Sequence, residues 1–188
     1  GVLFAGKIEP ADLCQGAVGD CWLIAALASL AEHPAAVRKL LATPIASSRG
    51  SYVVRLYDGR LRNWDYVVVD DRVPVKEDGS PYFGKPNGNE MWAVILEKAF
   101  AKWCGSYAAL SGGFGVWAWE ALTGDAVFRL ELDTKEGTWE RWDLVHPKEG
   151  AARRAVRFRA TGEKHNDIKT YRLVKRYIER GALVAASI

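Results

Sequence analysis

The chain has 188 residues, of which 49% are hydrophobic and 26% are charged, a composition that is typical of a globular domain and excludes a disordered chain. The net charge of +3 is too small to make nucleic acid the expected partner. Three cysteines exclude a disulfide framework and favour a reducing, cytoplasmic compartment. The chain begins without Met and ends inside the apolar run 181–188, so we interpret it as a fragment.

The first strong helix signal begins near Cys21 and carries apolar residues on nearly every side, which is typical of a buried helix. Asp20 precedes it and is a favourable N-cap residue. The pair His33-Pro34 ends this helix, because the residue before a proline avoids helical geometry. A short second helix is then predicted over residues 36–41.

A β-hairpin is predicted after these helices. Residues 51–57 alternate in polarity and are rich in Val and Tyr, and residues 61–69 continue the pattern after the turn signal Asp58-Gly59. Pro, Asn and Gly in residues 85–89 predict a loop.

The second strong helix is predicted over residues 90–103. Its apolar residues form one stripe at helical spacing: Trp92, Ile95, Leu96, Ala99, Phe100 and Trp103. Its charged residues are expected to face outward: Glu97, Lys98 and Lys102. The glycine-rich residues 111–115 predict a flexible loop, and a short helix is predicted over residues 116–122.

The rest of the chain predicts short strands and one more helix. The strands are expected at residues 127–132, 138–144 and 155–158. The helix is expected over residues 167–180, and its predicted stripe is Ile168, Tyr171, Val174 and Ile178. Gly181 ends this helix, and residues 182–188 predict the start of a buried strand.

The chemistry is concentrated around Cys21. A sulfur at the start of a helix faces the positive end of the helix dipole, which favours the nucleophilic thiolate. The Cys21 N–H is free at a helix start and can point at an oxyanion. Gln15 can supply a second donor from its side-chain amide, and Gly16 and Gly19 allow the backbone to approach a substrate closely. Trp22 is expected to shield the site from water.

Residues 15–23, QGAVGDCWL, resemble the nucleophile motif of the calpain family of papain-like cysteine proteases. Five further segments resemble that family in the same order: 68–74, 88–92, 96–102, 105–113 and 178–184. The resemblance implies an α+β fold, the N-terminal lobe of a papain-like protease, with a central buried helix that starts at the nucleophile and a small antiparallel sheet. Residues 125–166 depart from the family as an inserted or divergent segment.

The resemblance also implies residue roles. Cys21 would be the nucleophile and Gln15 the oxyanion donor of a peptide-bond hydrolase. Gly112 and Gly113 would bind substrate, with Gly113 offering backbone hydrogen bonds to an extended peptide.

In calcium-dependent members of this family, the same subdomain carries a Ca²⁺ site. Asp12 and Glu90 match its carboxylate ligands, and the carbonyl groups of Ala5 and Lys7 would complete an all-oxygen site of the kind that Ca²⁺ prefers. From the residues alone, Asp12 is better read as a loop cap and Glu90 as an acid at a helix start. Pro10 stands where calcium-activated members carry an arginine, which puts the coupling of calcium to subdomain closure in doubt.

The catalytic base is not expected in this chain. His33 lies at the far end of the helix that Cys21 starts, about 18 Å away at 1.5 Å per residue, and His146 and His165 are expected at the surface. In the family, His and Asn come from a second subdomain, so we expect residues 1–188 to be the N-terminal subdomain and to be inactive alone. The alternative is a calpain-like regulatory or scaffold module without proteolysis.

Residues 147–165 form a basic segment with six Lys or Arg residues and two Glu residues. It is compatible with binding to acidic lipid headgroups or to a nucleic acid, but a solvated basic loop is the favoured interpretation. Of the other cysteines, Cys14 is expected to be buried and Cys104 to be structural or a surface thiol.

Overall fold

The computed structural model describes residues 2–43, 45–86 and 90–186. Its helices are α1 Cys21–Ala31, α2 Pro34–Leu40, α3 Trp92–Cys104, α4 Gly115–Thr123 and α5 Asp167–Glu179. Its strands are β1 Leu13–Cys14, β2 Ser51–Asp58, β3 Asn63–Asp70, β4 Lys85–Pro86, β5 Phe128–Asp133, β6 Thr138–Val145 and β7 Arg157–His165. Single 3₁₀ turns lie at Pro10–Asp12 and Ala108–Leu110. The fold is α+β, as predicted, and its strands form small antiparallel sheets.

The core lies where α1, α3 and α4 pack against one another and against the hairpin of β2 and β3. Leu23 and Leu27 of α1 and Ile95 of α3 are fully buried. Helix α1 begins at Cys21, as the sequence predicts, and all six predicted stripe residues of α3 are buried. Helix α3 ends at Gly105, whose φ of 107° reverses the chain.

The predicted hairpin forms, with Ser51 opposite Asp70 and Asp58 opposite Asn63, but Asp58 belongs to β2 and the turn covers residues 59–62 instead of Asp58-Gly59. Side chains of β2 alternate in burial, because successive residues point to opposite faces of a strand. Residues 85–86, expected in a loop, instead pair with β1 as a two-stranded sheet. The predicted loop residues 87–89 lie outside the described part of the chain.

The divergent segment folds as a three-stranded antiparallel sheet in the order β5-β6-β7. The third predicted strand is wrong in position, since the strand covers Arg157–His165 and not residues 155–158. Residues 182–186 form no strand and are mostly exposed, which overturns the predicted buried strand there; residues 187–188 are outside the described ranges. No helix in the described residues is long and apolar enough to cross a membrane.

Candidate active site

Cys21 is the first residue of α1 and is exposed. The carbonyl of Asp20 accepts the N–H groups of Leu23 at 2.8 Å and Ile24 at 3.0 Å, which closes the first turn of the helix. No hydrogen bond among the residues that the structure describes uses the Cys21 N–H. The cysteine therefore presents a thiol and an uncommitted backbone donor on one accessible surface.

Asp20 occupies the N-cap position, but its side chain does not cap the helix, contrary to the sequence-based expectation. The carboxyl group is fully buried and accepts no well-formed hydrogen bond from an N–H donor in the described ranges, while the Gln15 side-chain amide lies near enough to offset part of the rise that burial causes in the pKa of Asp20. The Asp20 carboxyl group lies against the carboxyl group of Glu97 on α3. The prediction that Glu97 faces outward is thus wrong, because Glu97 is only 1% exposed. Both of its carboxyl oxygens accept the Gly84 N–H, at 3.1 and 2.9 Å.

Two buried carboxyl groups in contact cannot both ionise readily. Burial, with the neighbouring Asp20 carboxyl, raises the pKa of Glu97 to about 8, and burial also raises the pKa of Asp20. Glu97 therefore carries a proton at neutral pH and can donate it to Asp20 in a hydrogen bond. This acid pair (Asp20 and Glu97) lies directly beneath the start of α1.

The loop that carries Gln15 is held on the neighbouring segment. The Ala17 N–H donates to the Tyr82 carbonyl at 3.1 Å, and a Cβ on Gly16 would lie 2.0 Å from the Phe83 carbonyl oxygen. Only glycine fits there. The Gln15 side chain is exposed, and its amide nitrogen donates to the Val18 carbonyl at 2.8 Å, which leaves a second amide N–H in the neighbourhood of the Asp20 carboxyl group.

The predicted substrate glycines lie beside the nucleophile helix. The Gly112 N–H donates to the Gly19 carbonyl at 2.9 Å, and a Cβ on Gly113 would lie 2.4 Å from the Trp22 ring. The Trp22 indole N–H in turn donates to the Leu110 carbonyl at 2.9 Å. Gly113 is exposed, and no hydrogen bond in the described ranges uses its N–H or carbonyl. The glycine loop (residues 111–115) thus offers an unused backbone edge next to α1.

Trp22 packs inward and does not cover the site. It is 8% exposed, and its ring stacks on Trp117 at 5.5 Å between ring centroids. Trp117 is itself in the core. It also contributes to a surface cavity of about 300 Å³ beside the glycine loop, lined by Gly112, Gly113, Phe114, Trp117 and Arg154.

The candidate calcium ligands are in part brought together. Both Glu90 oxygens accept hydrogen bonds, from the Ala5 N–H at 2.6 Å and the Trp92 indole N–H at 3.0 Å. Asp12 accepts the Glu9 N–H at 2.9 Å, which is the capping contact that the residues alone favour. Lys7 is exposed. In the described part of the chain, no three His, Cys, Asp or Glu side chains form a group that could hold a metal ion.

The histidines are engaged elsewhere. His33 is exposed just before α2. His146 lies 3.0 Å from Glu120, and His165 lies 3.0 Å from Glu163. Both of these side chains are largely buried, so the expectation of plain surface residues is wrong for them. None of the three contacts Cys21 through a hydrogen bond or an ion pair in this chain.

The basic segment is not simply a solvated loop. Arg153 and Arg154 are half-buried, and both donate hydrogen bonds to residues before position 112. Charge counting cannot distinguish such docked arginines from solvated ones, so the sequence offered no signal for them.

The two other cysteines differ in exposure. Cys14 is exposed, contrary to prediction, while burial raises the pKa of the Cys104 thiol to about 12, as expected for a structural thiol.

Comparison with known proteins connects this geometry with one family. The family model described as "Calpain family cysteine protease" matches residues 2–187. This chain belongs to the calpain family of cysteine proteases. Over 132 residues it is 44% identical to "Calpain-type cysteine protease ADL1" of Oryza sativa subsp. japonica. The aligned residues make up 69% of this chain and 6% of that protein.

Two animal relatives show the same likeness. The human "Calpain-1 catalytic subunit" is 38% identical over 122 residues, or 64% of this chain and 17% of that protein. The rat "Calpain-1 catalytic subunit" is 33% identical over 180 residues, or 94% of this chain and 21% of that protein. The chain therefore spans roughly a twentieth to a fifth of the length of these relatives, and the fold is the papain-like lobe of the calpain protease core.

Proposed function

We propose that this chain is the N-terminal, nucleophile-bearing subdomain of a calpain-type cysteine endopeptidase. The observation that carries the proposal is the accessible Cys21 at the start of a buried helix, with its N–H unused and the glycine loop docked beside it. A second subdomain would supply the base, because no histidine of this chain contacts Cys21. On this proposal the chain has no peptidase activity alone.

The reaction begins when the Cys21 sulfur adds to a peptide carbonyl carbon and the carbonyl oxygen becomes an oxyanion. The Cys21 N–H and the remaining Gln15 amide N–H are the donors proposed for that oxygen. The amine then leaves with a proton from the base, and water hydrolyses the thioester to release the acid and the thiol. The substrate backbone pairs with the N–H and carbonyl of Gly113 as an added strand.

Cys21 and Gln15 provide the test of this mechanism. In the protein that contains the following subdomain, Cys21→Ser should lower kcat/KM by at least about 10³-fold. Gln15→Ala should lower it by about 10²-fold, because one oxyanion donor is lost. Turnover that is unchanged by Cys21→Ser would refute the mechanism. A protein that lacks turnover but still binds peptides would support the regulatory or scaffold module.

Calcium dependence is the second part of the proposal. The calpain family is calcium-regulated in general, and the Asp12 and Glu90 carboxylates with the Ala5 and Lys7 carbonyls make an oxygen donor set suited to Ca²⁺. Glu90 already holds the Ala5 segment through the Ala5 N–H, and a carboxylate that accepts two N–H groups retains two further lone-pair positions. By their chemistry these donors fit a Ca²⁺ ion, which would neutralise the Asp12 and Glu90 carboxylates.

A calorimetric titration tests the calcium site directly. Ca²⁺ should release heat on binding to the native protein, and the double variant Asp12→Asn, Glu90→Gln should lose that heat. These replacements keep the side-chain shape; Asp12→Asn keeps an acceptor for the Glu9 N–H, and Glu90→Gln keeps an acceptor for one of its two donors, the Ala5 N–H or the Trp92 indole N–H, so thermal unfolding without Ca²⁺ checks that the double variant is folded. Absence of heat, or heat that the double variant retains, would remove the proposed site.

The three free thiols of this chain fit a reducing compartment.

A further inference from the structure

Two neighbouring arginines of the divergent segment have different kinds of partner. Arg153 forms ion pairs with Asp58, at 3.2 Å, and with Asp65, at 3.1 Å. Arg154 donates instead to two backbone oxygens, the carbonyl of Ala109 and, at 3.3 Å, that of Ser111. No carboxylate in the described ranges pairs with Arg154. Its positive charge is therefore held in a fixed place and is not neutralised by a carboxylate of the described residues.

That fixed place borders the substrate side of the site. Arg154 lines the cavity of about 300 Å³ together with Gly112, Gly113, Phe114 and Trp117. Phe158 of β7 packs edge-on against Phe114, at 4.9 Å between ring centroids, so the divergent segment contacts the glycine loop through both Phe158 and Arg154. The cavity thus has a peptide edge on one side, aromatic rings on another and one unpaired guanidinium.

The guanidinium keeps enough donors to bind a ligand. It carries five N–H bonds, and the two carbonyl contacts use two of them. A carboxylate is the group whose geometry best matches the remaining donors, and such charge-assisted pairs are stronger than neutral ones. The Trp117 and Phe114 rings exclude part of the water that would otherwise screen the charge.

We propose that Arg154 forms a subsite for an acidic side chain of the peptide substrate. The proposal rests on the proposed function, because it assumes that the substrate strand pairs with Gly113. The acidic side chain belongs to the substrate residue that pairs with Gly113, or to the adjacent substrate residue on the same side of the scissile bond. The divergent segment thereby sets substrate preference, because its arginine favours a Glu or Asp side chain over a neutral one.

The test uses the protein with its following subdomain and a set of peptides that carry a single Glu at each position before the scissile bond. Each peptide is matched with one that has Gln at the same position. At one position the native protein should cleave the Glu peptide about tenfold faster in kcat/KM than the Gln peptide. The Arg154→Gln variant should reduce this ratio to about one, and Arg154→Lys should retain part of it.

The matched control is Arg159→Gln, which removes an exposed arginine of the same segment and should leave the ratio unchanged. A role of Arg154 in holding the loop alone would lower the rates of both peptides equally, with no change in their ratio. A native ratio near one at every position, or a ratio that survives Arg154→Gln, would overturn the proposal.

A binding assay separates this proposal from the proposed function. If no peptide is turned over in a Cys21-dependent way, the proposed function fails, and affinity for the same peptide pairs is then measured with the Cys21→Ala variant. Tighter binding of one Glu peptide, lost in Arg154→Gln and weakened by salt, would support the subsite. Equal binding of the Glu and Gln peptides would overturn it.

Discussion

Helices α3 and α5 both carry apolar residues at helical spacing, but they end in different environments. Every stripe residue of α3 is buried, whereas Ile168, Tyr171 and Ile178 of α5 are 62%, 66% and 56% exposed. Helix α5 packs through a neighbouring face, where Thr170 is buried and Tyr177 contacts Phe128 at 5.4 Å between ring centroids. An apolar spacing therefore predicts a helix, but its packed face depends on what surrounds it.

The same contrast separates the two larger regions of the molecule. The core is built almost wholly from residues before position 125, and within 125–186 only Val156 and Thr170 are buried. Polar contacts join the later region to the earlier one, notably those of Arg153 with Asp58, a residue whose pKa the Arg60 hydrogen bond lowers to about 2. Apolar burial thus stabilises the first region, whereas the second region is held on it mainly by hydrogen bonds and ion pairs, with apolar contacts from Val156 and Phe158.

The largest effect is expected in the core of the first region. Phe100→Ala should lower the free energy of unfolding by about 3–5 kcal/mol, because it removes a fully buried ring that contacts Trp22, Trp103 and Trp117. Urea denaturation measures the loss. The control Tyr66→Ala removes a ring that is 64% exposed and should cost much less. Equal losses of unfolding free energy in the two variants would mean that burial does not determine the cost of removing these two rings.

A smaller effect, with a pH signature, is expected at the acid pair. Glu97→Ala leaves Asp20 buried without its donor and the Gly84 N–H without its acceptor, and should cost about 3 kcal/mol. Glu97→Gln keeps an acceptor for Gly84 and a donor for Asp20, so it should be nearly neutral at about pH 4.5 and below, where Glu97 is protonated in both states, and should become more stable than the native protein as the pH rises. Thermal and urea unfolding of both variants distinguish these outcomes.

The pH dependence follows from the raised pKa of Glu97. The unfolded chain loses this proton near pH 4.5, and the folded chain loses it near pH 8. Between these values the folded state binds more protons, so stability should fall as pH rises, by at most about 1.4 kcal/mol per pH unit for this group, and level off above pH 8. Glu97→Gln should remove most of that slope. A slope that persists in the variant would place its origin elsewhere.

Glu97 also shows why the sequence predicted the fold better than the site. Six apolar residues of α3 imply one packed face and leave Glu97 outside it, but Ala93, Val94 and Ala101 are buried as well. Only a narrow outward face remains, at Lys98 and Lys102, and these two lysines donate hydrogen bonds to the carbonyls of Asp70 and Val68. The additional small and apolar residues were the available signal that Glu97 is enclosed.

Local patterns predicted the features that depend on neighbouring residues alone. The start of α1 at Cys21 and the presence of the hairpin follow from a helix signal and from two strand patterns separated by a turn signal. The orientation of Asp20 and the docking of Arg154 depend on partners 77 and 45 positions away in the chain, Glu97 and Ala109. Neither residue type reveals such a partner, because Asp at a helix start favours capping and Arg in a basic run favours solvent.

The smallest effect is expected on the exposed face of α5. Ile168→Ser removes an apolar side chain that is 62% exposed, so the free energy of unfolding should change by no more than about 0.5 kcal/mol. Thr170→Asp, two residues further on, places a charge on the buried face and should cost at least about 2 kcal/mol. Denaturation curves for the two variants show which face packs. A larger loss for Ile168→Ser than for Thr170→Asp would mean that the periodicity in the sequence had indicated the packed face correctly, and that the contrast between α3 and α5 does not hold in solution.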